Sequence, residues 1–265
     1  ELMRKNLGLK MIRRANSIGH HYFIANLTSK DIASSVALAV NEKHGIWYNP
    51  MTGEYHEATI GDKGIQLNLK SGESRILITS NKPVNEWKLG SKVKVGGKEA
   101  IAAADSKTID LTANTWKLSF TEDAPKVGET FNLKGVKSWE GLSNKAKVMM
   151  GTGVYETTIK LSKDDAKKQW AIDLGDVRES ARVYINGEYV GCAWAVPYIL
   201  NCQDKLVKGK NTLRIEVTNL PANRIAEMDR QGVKWRKMKE INVVDINYKK
   251  TTYEKWTPVP SGLNS

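Results

Sequence analysis

The side chains best suited to chemistry are Trp139, in the loop Ser138-Trp139-Glu140-Gly141, and Asn223, Arg224, Asp229, Arg230 and Trp235, all within the charged segment 220–240. An indole offers a flat apolar face, while amide, carboxylate and guanidinium groups offer planar, directed hydrogen bonds. That combination suits a carbohydrate, whose ring presents C–H faces to aromatics and hydroxyls to polar groups. Two other uses of the same residues stay open. Arg224 and Arg230 suit ion pairs with Glu227 and Asp229, and they also suit clamping the segment onto another domain.

Nothing in the spacing supplies a self-contained reaction centre, and no catalytic residue is assigned. Cleaving a glycosidic bond requires two carboxylates opposed across it, a pairing that sequence spacing cannot show. No metal ligand set is assigned. His20 and His21 are adjacent, so in a strand they point to opposite faces, and His44 and His56 stand apart. Gly151-Thr152-Gly153 lacks the phosphate-cradling pattern and reads as the sharp start of a strand. No cofactor is implied.

The elements that would position these side chains are strands. Between Trp170 and Arg224, apolar residues alternate in the runs 170–174, 181–185, 188–194 and 211–218, as at Leu213, Ile215 and Val217. Asn186-Gly187 joins the second run to the third and suits a two-residue type I′ turn. Earlier, Trp116-Lys117-Leu118-Ser119-Phe120 alternates cleanly, and strands are expected at 154–161 and 242–248. Trp116, Trp170 and Trp194 sit in alternating runs and are read as core.

The first part of the chain predicts strands at 21–27, 34–40, 65–69 and 75–79, with turns at Lys70-Ser71-Gly72-Glu73 and Asn49-Pro50-Met51-Thr52-Gly53. No helix of useful length is required there. The fold expected is all-β: a small antiparallel β-sandwich over 1–82 and a jelly-roll β-sandwich over 83–265, with the charged insertion at 220–240. Asn81-Lys82-Pro83 marks the boundary, and 84–115 is ambiguous, with 100–104 readable as helix or strand.

Composition narrows the classes. The 265 residues carry 41 basic and 29 acidic side chains, a net charge of +12. The lysines are scattered, unlike the clustered footprint of a nucleic-acid module, and read as a solvated surface that blunts sheet edges. The same diffuse positive field would steer polyanionic polysaccharides toward the protein. No run approaches a membrane span. Cys192 and Cys202 flank WAVPYILN; a bridge is geometrically possible, and two small buried hydrophobes is the plainer reading. The chain opens on Glu1 with no apolar run behind it and is read as an excised or processed piece.

The order GTGVYETTIKL, W-x-x-D-L-G, a valine-rich strand with N-G, V-G-x-x-W and G-x-N-T-L-x-I-x-V-T-N resembles the jelly-roll sugar-binding-type domain found beside many glycoside hydrolases. The stretch LPANRIAEMDRQGVKWRKMKEINVVDINYK at 220–249, IRRANSIGHHYFIANL at 12–27 and WYNPMTGE at 47–54 are similar to the C-terminal part of bacterial α-L-rhamnosidases of glycoside hydrolase family 106. The resemblance is strong over 151–249, good over 12–80 and weak over 84–115.

The resemblance implies a region outside the catalytic (β/α)8 barrel, inactive alone, whose partner is an upstream barrel of the same polypeptide. It implies a plant-type, rhamnose-containing polysaccharide as substrate and an extracytoplasmic location. A structural Ca²⁺ held by Asp and backbone oxygens would suit such a jelly roll, although no oxygen-rich loop of convincing spacing is present. The competing readings are an autonomous carbohydrate-binding module and a basic nucleic-acid-binding or adhesion protein. No nucleic-acid or membrane partner is expected.

Overall fold

The computed structural model describes residues 2–87, 95–98, 107–202, 205–236, 246–247, 249 and 251–264. The chain divides into two compact units, Glu1–Thr108 and Ile109–Ser265. The fold is all-β, as expected, and is built almost wholly from antiparallel sheets.

In the first unit, a six-stranded sheet is ordered Lys10–Ala15, Gly19–Ala25, Ser74–Ser80, His44–Tyr48, Tyr55–Ala58, Val95–Lys98. A three-stranded sheet of Ile32–Val36, Gly64–Leu69 and Ile60–Gly61 packs against it. Alternation makes the core. Tyr22, Ile24, Trp47 and Leu77 from the large sheet meet Val36, Ile65, Leu67 and Leu69 from the small one. The short helix Leu2–Leu7, not called for by the sequence, buries Met3 in the same core.

Chain past Pro83 still belongs to this unit. Trp87 is buried and its indole donates to the Lys82 carbonyl at 2.8 Å. Strand Val95–Lys98 then pairs in parallel with Tyr55–Ala58. The division between units therefore falls within the ambiguous stretch 84–115, at Thr108/Ile109, and not at Pro83.

The second unit is built on another six-stranded sheet, ordered Phe131–Lys134, Thr115–Ala124, Met150–Leu161, Gly209–Thr218, Ser180–Ile185, Glu188–Ala193. Its register places Leu118, Tyr155, Ile215 and Val183 in one row facing the core. The opposing side carries two short ribbons, Ala171–Asp173 with Ile199–Asn201 and Asp176–Arg178 with Gly262–Asn264. The hairpin between Ser180–Ile185 and Glu188–Ala193 turns at Asn186 (φ 53°) and Gly187 (φ 83°), the geometry that the Asn-Gly pair predicts. The run at 170–174 pairs outside the main sheet. Of the strand expected at 242–248, only 246–247 are among the described residues, and they form a turn; 100–104, read as helix or strand, lies outside them.

Trp139 corrects the sequence reading. It sits in a single 3-10 turn, Trp139–Gly141, and is fully buried, so it offers no face to a ligand. Its indole N–H donates to the Tyr155 hydroxyl at 2.7 Å. Gly153 and Gly262 lie directly against the ring, and a Cβ on either would overlap it. The glycines of GTGVY thus serve close packing as well as the start of a strand. Burial pushes the Tyr155 phenol up to about 12, so it stays neutral and polar in the core. It also accepts from the Leu263 N–H at 3.1 Å, tying the end of the chain to the same point.

The other tryptophans divide. Trp116 is buried and Trp170 half-buried, as core readings require, but Trp194 is 62% exposed because the strand stops at Ala193. Cys192 and Cys202 are both free thiols.

Two substitutions test this packing. Trp139→Ala is expected to cost about 3–5 kcal/mol, the scale of a large aromatic truncation. Gly153→Ala is expected to cost roughly 1–3 kcal/mol by overpacking. Denaturant unfolding followed by tryptophan fluorescence measures both. A loss under about 0.5 kcal/mol for either would show the contact is not tight.

Candidate functional site

The described part of the charged segment, 220–236, is folded. It contains the helix Ala222–Arg230, which buries the small residues Asn223 and Ala226 one turn apart on one face. Pro221 stands at the start, where its missing N–H costs nothing. Gly232 ends the helix at φ 67°: its N–H donates to the Asp229 carbonyl at 3.1 Å and the Val233 N–H to the Met228 carbonyl at 2.8 Å, the paired bonds of a Schellman close. Few apolar residues are needed, because polar side chains fix the helix to the segment 251–261.

Those side chains are three of the sequence candidates. Asn223 bonds reciprocally to Val259, donating to its carbonyl and accepting its N–H, both at 2.8 Å. Asp229 accepts from the Trp235 indole at 2.7 Å and from the Tyr253 N–H at 2.8 Å. Arg230 donates to the carbonyls of Glu254 (2.9 Å) and Trp256 (2.7 Å) and pairs with Glu227 at 3.0 Å. Asn223, Asp229, Arg230 and Trp235 therefore converge on one strap of chain. Trp139 lies in the core. Arg224 is half-buried and makes no hydrogen bond or ion pair among the described residues. Of the ion pairs open to Arg224 and Arg230 with Glu227 and Asp229, Arg230 with Glu227 forms.

The arrangement builds an aromatic surface that the sequence reading missed. Trp235 and Tyr253 have ring centroids 6.4 Å apart, and Tyr253 and Trp256 4.5 Å apart. The Arg236 guanidinium carbon lies 4.9 Å from the Trp235 ring and 5.4 Å from Tyr253, within cation–π reach of both. Trp256 remains 51% exposed. The available signal was Tyr253-x-x-Trp256 in a polar segment leading into Pro258 and Pro260, aromatics with no alternation to make them core.

An open cleft adjoins the same helix, lined by Asn144, Lys147, Val148, Glu227, Arg230 and Pro258. The carboxylates here are engaged: Glu227 with Arg230 and Gln231, Asp229 with Trp235 and Tyr253. They hold structure and are not poised as an acid–base pair. Among the described residues, no group of three or more His, Cys, Asp or Glu side chains could hold a metal ion, and no helix is long and apolar enough to cross a membrane.

Comparisons with known proteins fit this picture. Residues 143–258 match a family model described as a glycosyl hydrolase 2 galactose-binding domain-like domain. A protein of Formosa agariphila that carries a provisional β-glucuronidase name is 28% identical over 214 residues, covering 73% of this chain and 18% of that protein. The solved structure of a rhamnosidase from Novosphingobium sp. PP1Y superposes with a TM-score of 0.67 at 20% identity, covering 96% of this chain and 23% of that one. The chain thus spans about a fifth of the length of these two proteins. It carries a glycoside-hydrolase-associated β-domain with a galactose-binding-like sandwich.

Asp229 is the keystone of the clamp. Asp229→Ala removes two acceptors at once and is expected to cost about 1–3 kcal/mol. It should also speed hydrogen exchange at the Tyr253 amide, while Arg224→Ala should stay within about 0.5 kcal/mol of the parent. Unchanged exchange at Tyr253 in the Asp229 variant would contradict the clamp.

Proposed function

We propose that this chain is a non-catalytic β-sandwich region of an α-L-rhamnosidase-like glycoside hydrolase of family 106, working outside the cytoplasm and buttressing a catalytic barrel of the same polypeptide. The observation that carries this reading is the extent of the rhamnosidase likeness. It runs through both units, 96% of this chain, while occupying 23% of the longer protein. The sequence motifs at 12–27, 47–54 and 220–249 point to the same family.

A surface of the first unit supports the buttressing role. On the outer face of its large sheet, Ile12, Phe23, Ile76, Tyr48 and Tyr55 stand in register across neighbouring strands. Ile12 is 61% and Phe23 44% exposed, and the other three are partly exposed. A contiguous apolar row on a sheet face is costly to leave in water and marks a contact surface. Tyr48 and Tyr55 already stack, with centroids 4.5 Å apart. In this reading the barrel covers that row.

The test compares two proteins. The chain alone should release no rhamnose from an aryl α-L-rhamnoside, and the polypeptide extended to include a barrel should release it. Phe23→Ser with Tyr48→Ser should lower the thermal stability of the extended enzyme by several degrees more than that of the chain alone. Rhamnose release by the chain alone, abolished by one carboxylate substitution within it, would overturn the reading.

A further inference from the structure

The Trp256 ring is displayed at the surface while bonds hold its backbone. Arg230 holds its carbonyl at 2.7 Å and that of Glu254 at 2.9 Å, and Asp229 holds the Tyr253 N–H at 2.8 Å. The following Pro258 and Pro260 stiffen the strap. The Trp256 ring rests against Tyr253, centroids 4.5 Å apart and planes tilted by 54°, and the side chain stays half in water. A rigid, half-exposed aromatic of this kind suits the C–H face of a sugar ring, since stacking there loses little side-chain freedom.

The charges around it have one sign in excess. Lys234 and Lys255 are exposed and are the chain neighbours of Trp235 and Trp256. Arg236 stacks on Trp235 and Tyr253, and Lys147 lines the cleft beside helix Ala222–Arg230. The local acids Asp229 and Glu227 are consumed by the clamp, so Glu254 is the one exposed carboxylate of the strap 251–256. A neutral sugar has no use for this excess, whereas a carboxylated sugar does. The few, separated lysines also fall short of the tracked basic groove that a nucleic-acid strand requires.

We propose that the aromatic strap of Tyr253 and Trp256, with Lys255 on it and Lys234 and Arg236 on the segment whose Trp235 packs against Tyr253, is a binding subsite for a uronate-bearing glycan. One uronate ring stacks on the indole and its carboxylate meets the cations. This subsite rests on the reading of the chain as a glycoside-hydrolase region and adds the acidic character of the polysaccharide it touches. It requires no bond making or breaking.

Affinity electrophoresis of the 265-residue chain tests it, with polygalacturonate, a neutral galactan or single-stranded DNA cast into the gel. Polygalacturonate should retard the chain and the galactan should not, and raising the salt should weaken the retardation. Trp256→Ala should weaken polygalacturonate binding at least tenfold with an unchanged melting temperature. Lys234→Glu with Lys255→Glu, on solvated side chains, should do the same and serves if the tryptophan variant folds poorly. Retardation by polygalacturonate that both variants leave intact would overturn the proposal, as would no retardation or DNA binding that depends on Trp256. Rhamnoside hydrolysis by the extended polypeptide reads the family assignment separately, so loss of this subsite leaves that result standing.

Discussion

The second unit depends on one buried polar contact, the indole of Trp139 bonded to the hydroxyl of Tyr155. A large aromatic can lie flat on a sheet only where the backbone beneath it carries no side chain, and Gly153 and Gly262 provide that from distant parts of the chain. The Tyr155 hydroxyl then needs partners, because a buried polar group without them is costly. It takes the Trp139 N–H and the Leu263 N–H, and in doing so fixes the last strand of the unit.

Everything at the candidate site follows from that anchorage. Once Leu263 is fixed, the chain leading to it crosses the domain surface, and buried side chains catch it in turn. Ser138 accepts the Ser261 N–H at 3.2 Å, Asn219 donates to the Ser261 hydroxyl at 3.2 Å, and Asn223 holds Val259. Asp229 and Arg230, at the end of a helix, hold 253–256. The result is an aromatic surface carried on a non-helical strap yet fixed at several points, which is the rigidity a binding site needs. Glu227, Asp229 and Arg230 of the charged segment are spent within this clamp.

How much of this was legible depends on range. The strands at 150–218 and the Asn186-Gly187 turn were readable because alternation and turn chemistry are local signals. The strand Lys10–Ala15 was not, since it is an edge strand exposed at almost every position and shows no alternation. The burial of Trp139 was hidden because its cause, a glycine more than a hundred residues away, is nonlocal. The helix Ala222–Arg230 did leave local marks, Pro221 at its start and Gly232 at its end. Tyr253 and Trp256 carried no periodic signal, and what makes them a surface is their capture by Asp229 and Arg230. Of the site candidates, Asn223, Asp229 and Arg230 form the frame of the surface, and Trp235 is one of its rings.

We propose a division of labour in which the apolar row of the first unit meets a catalytic domain and the aromatic strap of the second is left open to glycan. Hydroxyl-radical footprinting of the longer polypeptide against this chain tests both halves in one measurement. Phe23, Tyr48 and Tyr55 should become protected in the longer protein, while Trp256 should stay reactive until polygalacturonate is added. Protection of Trp256 by the polypeptide itself, with Phe23, Tyr48 and Tyr55 as reactive as in the isolated chain, would contradict it.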